Sequence, residues 1–432
     1  MKKNKYPTIT TLGLWHLGCV YTACLAKLGF NILGYDENNI VINNLNKGIP
    51  PILEPELAET IKKHLRKNLF FSSSLKESLE NKDYIFITYD LPVDNFDKVR
   101  VEIIEKTFSN ISKHISPNTT VVISSQVPLG TSRKLVNLLK QNIKDPKVIY
   151  FPENLRVGNA FRTFLEPDRI ILGSDNQKAL NQFIKDFKFN CPIITMGLES
   201  AEMSKHALNT YLATCISFSS ELSDLSEKTG ANMTDVVRAL KTDKRIGPFA
   251  PINPGLGFAG GTLGRDIQSL RKIAKRKKYE TKLLNAVYAV NQDRLPYLYS
   301  KIYSIYPDLK GKQIGILGLT YTSKTDTLRR SMSLGLAYLL KNKRCHIKAI
   351  DPAIKKQIPS YPYIKVCLSY DSFFKDLDLV ILMTNWPQFQ KIDVSRISQL
   401  MNKKILIDTK NFLDQQKYKK SGFEYFGIGQ EK

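Results

Sequence analysis

Two groups of residues in this chain have types and spacing that could do chemistry. Gly13, Trp15 and Gly18 occupy the three fixed positions of a G-x-G-x-x-G turn, and Asp36 follows at about the 20-residue distance expected for a ribose-binding acid. In such a turn the first glycine makes the bend and the third allows close packing of helix on strand. The helix start favours a pyrophosphate. Trp15 fills the middle position, where a second glycine would let the backbone approach that pyrophosphate. An acid at Asp36 favours NAD over NADP, because it repels a 2′-phosphate. The second group is Lys205 and Asn209, one helical turn apart, so both can face one pocket, although taken alone the pair reads as a solvated helix face.

The elements around the turn suit it. Thr8 to Leu12 reads as a strand, Cys19 to Leu28 as a helix ended by Gly29, and Asn31 to Tyr35 as a second strand. Further strands are predicted at Tyr84 to Thr88, Thr119 to Ser124 and Lys147 to Phe151. Helices at Val99 to Lys113 and Ser132 to Ile143 separate them. This alternation predicts a parallel, doubly wound sheet. From Glu199 to Lys228, apolar residues recur with a helical period, at Met203, Ala207, Tyr211, Cys215, Phe218, Leu222 and Leu225. A helix that long spans between domains or carries an oligomer interface. Glycine- and proline-punctuated loops follow at Gly247 to Gly264, then helices to about Tyr303. A second strand–glycine–helix–strand unit runs from Gln313 through Gly318 to Asp351, with later strands at Leu377 to Met383 and Ile405 to Asp408. It lacks G-x-G-x-x-G, so no second dinucleotide site is expected.

Length and composition bound the possibilities. The 432 residues allow several domains, and 42% hydrophobic with 24% charged residues describes a globular protein with ample core. The net charge of +24 comes from lysines spread along the whole chain. A nucleic-acid footprint is a localised stripe, and no uncharged apolar run approaches the roughly 20 residues of a membrane helix, so neither nucleic acid nor membrane is expected as a partner. The six cysteines show no C-x-x-C spacing and read as reduced thiols of a cytoplasmic protein, with no metal site. The start, Lys2-Lys3 followed by Thr8 to Leu28, looks like a secretory signal only superficially, since it contains Trp15, His16 and Lys27.

Over almost its full length the chain resembles the UDP-glucose/GDP-mannose dehydrogenase family. The resemblance is carried by Ser125-Gln126-Val127-Pro128-Leu129-Gly130-Thr131, by Pro152-Glu153-Asn154-Leu155-Arg156-Val157-Gly158, and by Pro167-Asp168-Arg169. It continues through Lys205 with Asn209, Asp243-Lys244-Arg245-Ile246-Gly247, and Gly255-Leu256-Gly257-Phe258-Ala259-Gly260-Gly261-Thr262-Leu263-Gly264-Arg265-Asp266. The last third adds Gly318-Leu319-Thr320-Tyr321, Asp351-Pro352, Thr384-Asn385-Trp386 and Asp408-Thr409-Lys410-Asn411.

The resemblance implies two Rossmann-like doubly wound domains joined by a central all-helical dimerisation domain with a long connecting helix. The implied boundaries are 1–196 for NAD, 197–305 for the helical part and 306–432 for the UDP-sugar. It further implies a homodimer that oxidises an alcohol of a UDP-sugar with NAD, for surface polysaccharide. Lys205, Asn209 and Asp266 would position a water and stabilise the alkoxide, and Glu153 would activate hydrolytic water. Gly13, Trp15, Gly18, Asp36 and Gln126 would hold the cofactor. Leu155, Arg156, Arg245, Phe258, Gly260 and Lys410 would hold the substrate, with Arg245 reaching a neighbouring subunit.

The sequence departs from the family where the family has its cysteine nucleophile: that position is Thr262. A threonine hydroxyl needs an adjacent strong base to act as nucleophile, whereas a thiol does not. Gln126 replaces a family threonine, Thr322 a lysine and Val157 a glutamate. Hydride transfer without thioester chemistry is the first reading. A thiol-free four-electron dehydrogenase and a non-catalytic nucleotide-sugar-binding protein are the alternatives.

Overall fold

A computed structural model describes residues 6–91, 99 and 101–430. Lys2 and Lys3 of the signal-like start, and Arg100 in the expected helix from Val99, lie outside the described residues. Backbone packing divides the chain into two compact units: residues 1–208 with 268–273, and residues 209–267 with 274–432.

The first unit is built on eight strands: β1 (Thr8–Leu12), β2 (Asn31–Tyr35), β3 (Leu69–Ser72), β4 (Tyr84–Ile87), β5 (Thr120–Ile123), β6 (Lys147–Tyr150), β7 (Ile170–Gly173) and β8 (Ile193–Met196). Their order is β3-β2-β1-β4-β5-β6-β7-β8, and every pair is parallel except β6 with β7. Strand order reverses at β1, between β2 and β4, which is where doubly wound sheets bind their ligands. Strands β4, β5 and β7 are buried at all four positions, as expected of a sheet covered on both faces. The helix His16–Lys27 is buried along all but its last residue. It packs on β1 and β2 while the helices Leu57–His64 and Ala160–Leu165 cover it from outside. That explains its apolar character all round.

The second unit carries six parallel strands: β9 (Gln313–Leu317), β10 (His346–Ile350), β11 (Ile364–Val366), β12 (Leu379–Leu382), β13 (Ile405–Asp408) and β14 (Glu424–Gly427). The order β11-β10-β9-β12-β13-β14 repeats the winding of the first six strands of the other sheet. Helices Met233–Thr242, Lys282–Gln292 and Arg294–Ile305 belong to this unit, with most of the 32-residue helix Leu198–Thr229. Arg294 is fully buried, and its two terminal nitrogens hold Asp224 at 2.8 and 2.7 Å. Lys301 and the amide of Gly429 both reach Glu227, each at 2.8 Å, tying the end of the last strand to the long helix.

The doubly wound class is observed as expected, with a long helix following the first sheet and preceding the second in chain order. The structure adds β3, β7, β8, β11 and β14, which local patterning did not single out. Each has three or four residues, about as short as β4, β5 and β6, and takes its place from its neighbours in the sheet. The first helix also starts earlier than expected, at His16, which places Gly18 inside it.

Candidate active site

The glycine turn has the geometry a dinucleotide needs. Gly13 has φ +95°, and a Cβ there would lie 2.6 Å from the ring of Tyr89. Its amide donates to Tyr35 O at 2.9 Å, which locks the turn to the end of β2. A Cβ on Gly18 would fall 1.8 Å from Gly13 O, so only glycine lets the helix start this close to the strand. Trp15 precedes the helix and is 42% exposed; it is not packed into the core. Asp36 accepts Leu14 N and Asn38 N, both at 2.9 Å, and so stands beside the turn. The helix has no acid in its own first turn, leaving its N-terminus suited to a phosphate. These residues fit NAD.

The second glycine turn does not. Gly318 has φ +96° and bonds Ile350 O at 2.8 Å, matching Gly13 and Tyr35. Asp351, however, is consumed by Leu319 N, Thr320 N and the Trp386 indole, at 2.7, 3.0 and 3.2 Å. The next helix begins only at Met332. The expected lack of G-x-G-x-x-G here therefore has a structural counterpart.

In the first unit, Lys205 is 6% exposed and its Nζ lies 3.2 Å from Glu153 Oε1. It also donates to the Glu153 carbonyl. Glu153 Oε2 accepts Leu155 N at 2.8 Å, so one carboxylate orders both the lysine and its own loop. Arg156 is exposed and Leu155 half-buried. Gln126 is buried in the loop before the helix Thr131–Leu139. Glu202 caps that helix through Gly130 N and Ser132 N, at 2.5 and 2.7 Å, one turn before Lys205 on the long helix. Burial pushes the Glu202 carboxyl up from its ordinary value, against the stabilising amides.

Sequence reasoning missed Glu54 and its partner. Buried Glu54 accepts His16 Nε2, Gly158 N and Ala160 N, each at 2.9 Å, joining the cofactor turn to the loop that carries Glu153. Burial opposes charge on His16. The hydrogen bond that His16 donates to Glu54 and the charges of Asp90, Glu54 and Glu153 outweigh it and raise its pKa.

In the second unit, Asn209 Nδ2 donates to Asp266 Oδ2 at 2.5 Å, and both residues are buried. Asp266 lies in the first turn of the helix Leu263–Arg276, and its amide bonds the carbonyl of Thr262 at 3.2 Å. Thr262 itself is exposed. Asn291 clamps Phe258 through both its amide and carbonyl, at 2.8 and 3.1 Å. Gly260 has φ +78° and approaches the Tyr321 ring. Lys410 is half-buried, and desolvation lowers its pKa despite Asp408. Arg245 is exposed and folds back on Asp243, at 3.0 and 2.6 Å. None of the cysteines lies in the Thr262 loop, and burial pushes the thiols of Cys19, Cys24 and Cys345 up, the last to about 11.

Comparison with known proteins shows the family and the fold. The chain matches the UDP-glucose/GDP-mannose dehydrogenase family in its NAD binding domain over residues 7–188, its central domain over 199–293 and its UDP binding domain over 315–415. It is 33% identical to a UDP-glucose 6-dehydrogenase of Rickettsia conorii over 429 residues, covering 98% of this chain and 99% of that one. The solved structure of a UDP-glucose dehydrogenase from Pyrobaculum islandicum superposes with a TM-score of 0.90 at 26% identity, covering 100% of this chain and 99% of the other. A UDP-D-ManNAc dehydrogenase from Pyrococcus horikoshii shares the fold, with a TM-score of 0.85 at 24% identity and coverage of 98% and 99%. With a dinucleotide turn of the right stereochemistry and all three of the family's domains in order, this NAD-dependent chain belongs to the UDP-glucose/GDP-mannose dehydrogenase family.

Proposed function

We propose that this protein removes one hydride from an alcohol on the sugar of a UDP-sugar, giving a carbonyl product without a covalent enzyme–sugar bond. The observation that carries the proposal is the pairing of Lys205 with Glu153, together with that of Asn209 with Asp266, from positions four residues apart on one helix. An ammonium beside the carbinol offsets the charge of the developing alkoxide. Asp266, oriented by the Asn209 amide, takes up the alcohol proton through a water. The hydride-accepting chemistry belongs to the nicotinamide of NAD. Glu153 retains the carboxylate needed to activate water, so an aldehyde is open to further oxidation only as its hydrate.

Thr262 supports the thiol-free route, because an exposed hydroxyl without an adjacent strong base makes a poor nucleophile. We assign Gly13, Trp15, Gly18, Asp36 and Gln126 to the cofactor. Leu155, Arg156, Phe258, Gly260 and Lys410 go to the substrate, within domains bounded at residues 196 and 305. UDP-glucose is the first substrate to test, given the names of the relatives.

A homodimer is part of the proposal. Met203, Tyr211, Phe218 and Leu225 are exposed at seven- and eight-residue steps along the long helix. Such an apolar stripe suits a second copy, which Arg245 would then reach. Among the described residues no helix is long and apolar enough to cross a membrane. Reduced thiols suit a cytoplasmic site that supplies sugars for surface polysaccharide. Mass spectrometry of products from a panel of UDP- and GDP-sugars with NAD tests the reading. A carbonyl sugar still attached to UDP is expected, and an unchanged panel would overturn it.

A further inference from the structure

Glu54 takes N–H donors from two separate parts of the candidate site. Its Oε2 accepts His16 Nε2, at the start of the helix that follows the cofactor turn, and also Gly158 N, both at 2.9 Å. Its Oε1 accepts Ala160 N at 2.9 Å. The Glu54 side chain is wholly buried, and these donors offset the hydration it has lost. The local chain fixes the carboxylate. Pro55 follows it and restricts its backbone, and Leu57 N donates to the Glu54 carbonyl at 3.3 Å.

Beyond these amides lies the loop that carries Glu153. Asn159 gives the helix Ala160–Leu165 no side-chain cap, so Glu54 supplies an acceptor for its first amide from another segment. Asn159 N donates to Arg156 O at 2.8 Å, and Leu155 N to Glu153 Oε2, also at 2.8 Å. The loop is thus held at its end by Glu54 and at its start by Lys205, whose Nζ lies 3.2 Å from Glu153 Oε1. Packing sets the gap that Glu54 bridges. Tyr21 of the helix His16–Lys27 meets Phe164 of the helix Ala160–Leu165 edge-on, with ring centroids 4.7 Å apart.

We propose that Glu54 is a positioning residue: it registers the loop carrying Glu153, and through that loop Lys205, to the cofactor turn at His16. The proposal rests on the roles proposed above for Glu153 and Lys205. Glu54 acts through the loop, not on the reacting atoms. Its loss misplaces the carboxylate and the ammonium while leaving the glycine turn in shape.

Glu54→Gln separates the two sides. One accepting oxygen replaces two, so in either orientation of the new amide a loop N–H, of Gly158 or Ala160, loses its acceptor. The imidazole adapts, donating to the oxygen or accepting from the nitrogen. Hydrogen exchange over residues 158–160 of the full chain, read by mass spectrometry, should be slow in wild type and about tenfold faster in the variant. With UDP-glucose and NAD, kcat should fall about tenfold while ADP-ribose affinity stays within about twofold. In a Glu153→Gln background the same substitution should cost less than about twofold in kcat, because the carboxylate it positions is gone. Glu54→Asp, with its charge and both oxygens on a shorter arm, should show the same split if melting shows that Glu54→Gln folds poorly. Freely exchanging amides in wild type, an unchanged kcat in a folded variant, an equal loss in both backgrounds, or a loss confined to ADP-ribose affinity would each overturn the proposal. No NADH from wild type with any UDP- or GDP-sugar would overturn the proposed function and this proposal together.

Discussion

Lys205 and Glu153 form a nearly dry ion pair, Nζ to Oε1 at 3.2 Å, in which the lysine also holds its partner's backbone carbonyl. A pair so placed does more than stabilise the fold, because one carboxylate oxygen remains committed to Leu155 N while the ammonium stays poised at the loop. Lys205→Met is therefore expected to lower kcat by about 100- to 1000-fold while NAD affinity changes by less than about twofold. Steady-state kinetics beside cofactor titration separates the two.

Close approach of Gly18 to Gly13 O gives a second expectation. Gly18→Ala places a methyl 1.8 Å from that oxygen. The turn must open, costing about 1–3 kcal/mol and displacing the amides that face the cofactor. Chemical denaturation and NAD titration of the variant should both show the loss.

His16 links stability to pH. Its folded-state pKa is raised above 6.5, so the contribution is fully present below about pH 6.5 and lost as pH rises through the raised value. His16→Asn should destabilise the protein by about 1–3 kcal/mol below about pH 6 and by clearly less near pH 9. Urea unfolding at the two pH values measures this. A larger loss at the higher pH would show that the imidazole is held neutral.

Thiol chemistry supplies a fourth expectation. Burial holds the Cys19, Cys24 and Cys345 thiols protonated at neutral pH, and the loop before Asp266 carries Thr262. Iodoacetamide should leave sugar oxidation within about twofold of untreated protein. Thr262→Cys should create a reactive thiol, read as one added carbamidomethyl group by intact mass and as loss of activity on alkylation.

The legible parts of this molecule were those written locally. Gly13, Gly18 and Asp36 lie within one strand–turn–helix–strand unit, and their spacing was enough to place the turn. Lys205 and Asn209 were legible as neighbours because a helix fixes their separation. Glu54, Asp90 and Glu202 were not, because each acts on an amide or ring far away in sequence. His16 and Glu54 are 38 residues apart, Leu17 and Asp90 are 73, and Ser132 and Glu202 are 70. Only the sheet order brings such pairs together.

The proposed reaction is a single NAD-linked oxidation of a UDP-sugar without a thiol. Counting NADH formed per UDP-sugar consumed, with UDP-glucose first, tests it most directly. One NADH per sugar and a carbonyl product are expected. Two NADH with a uronic acid would contradict it, as would binding of both ligands with no NADH at all.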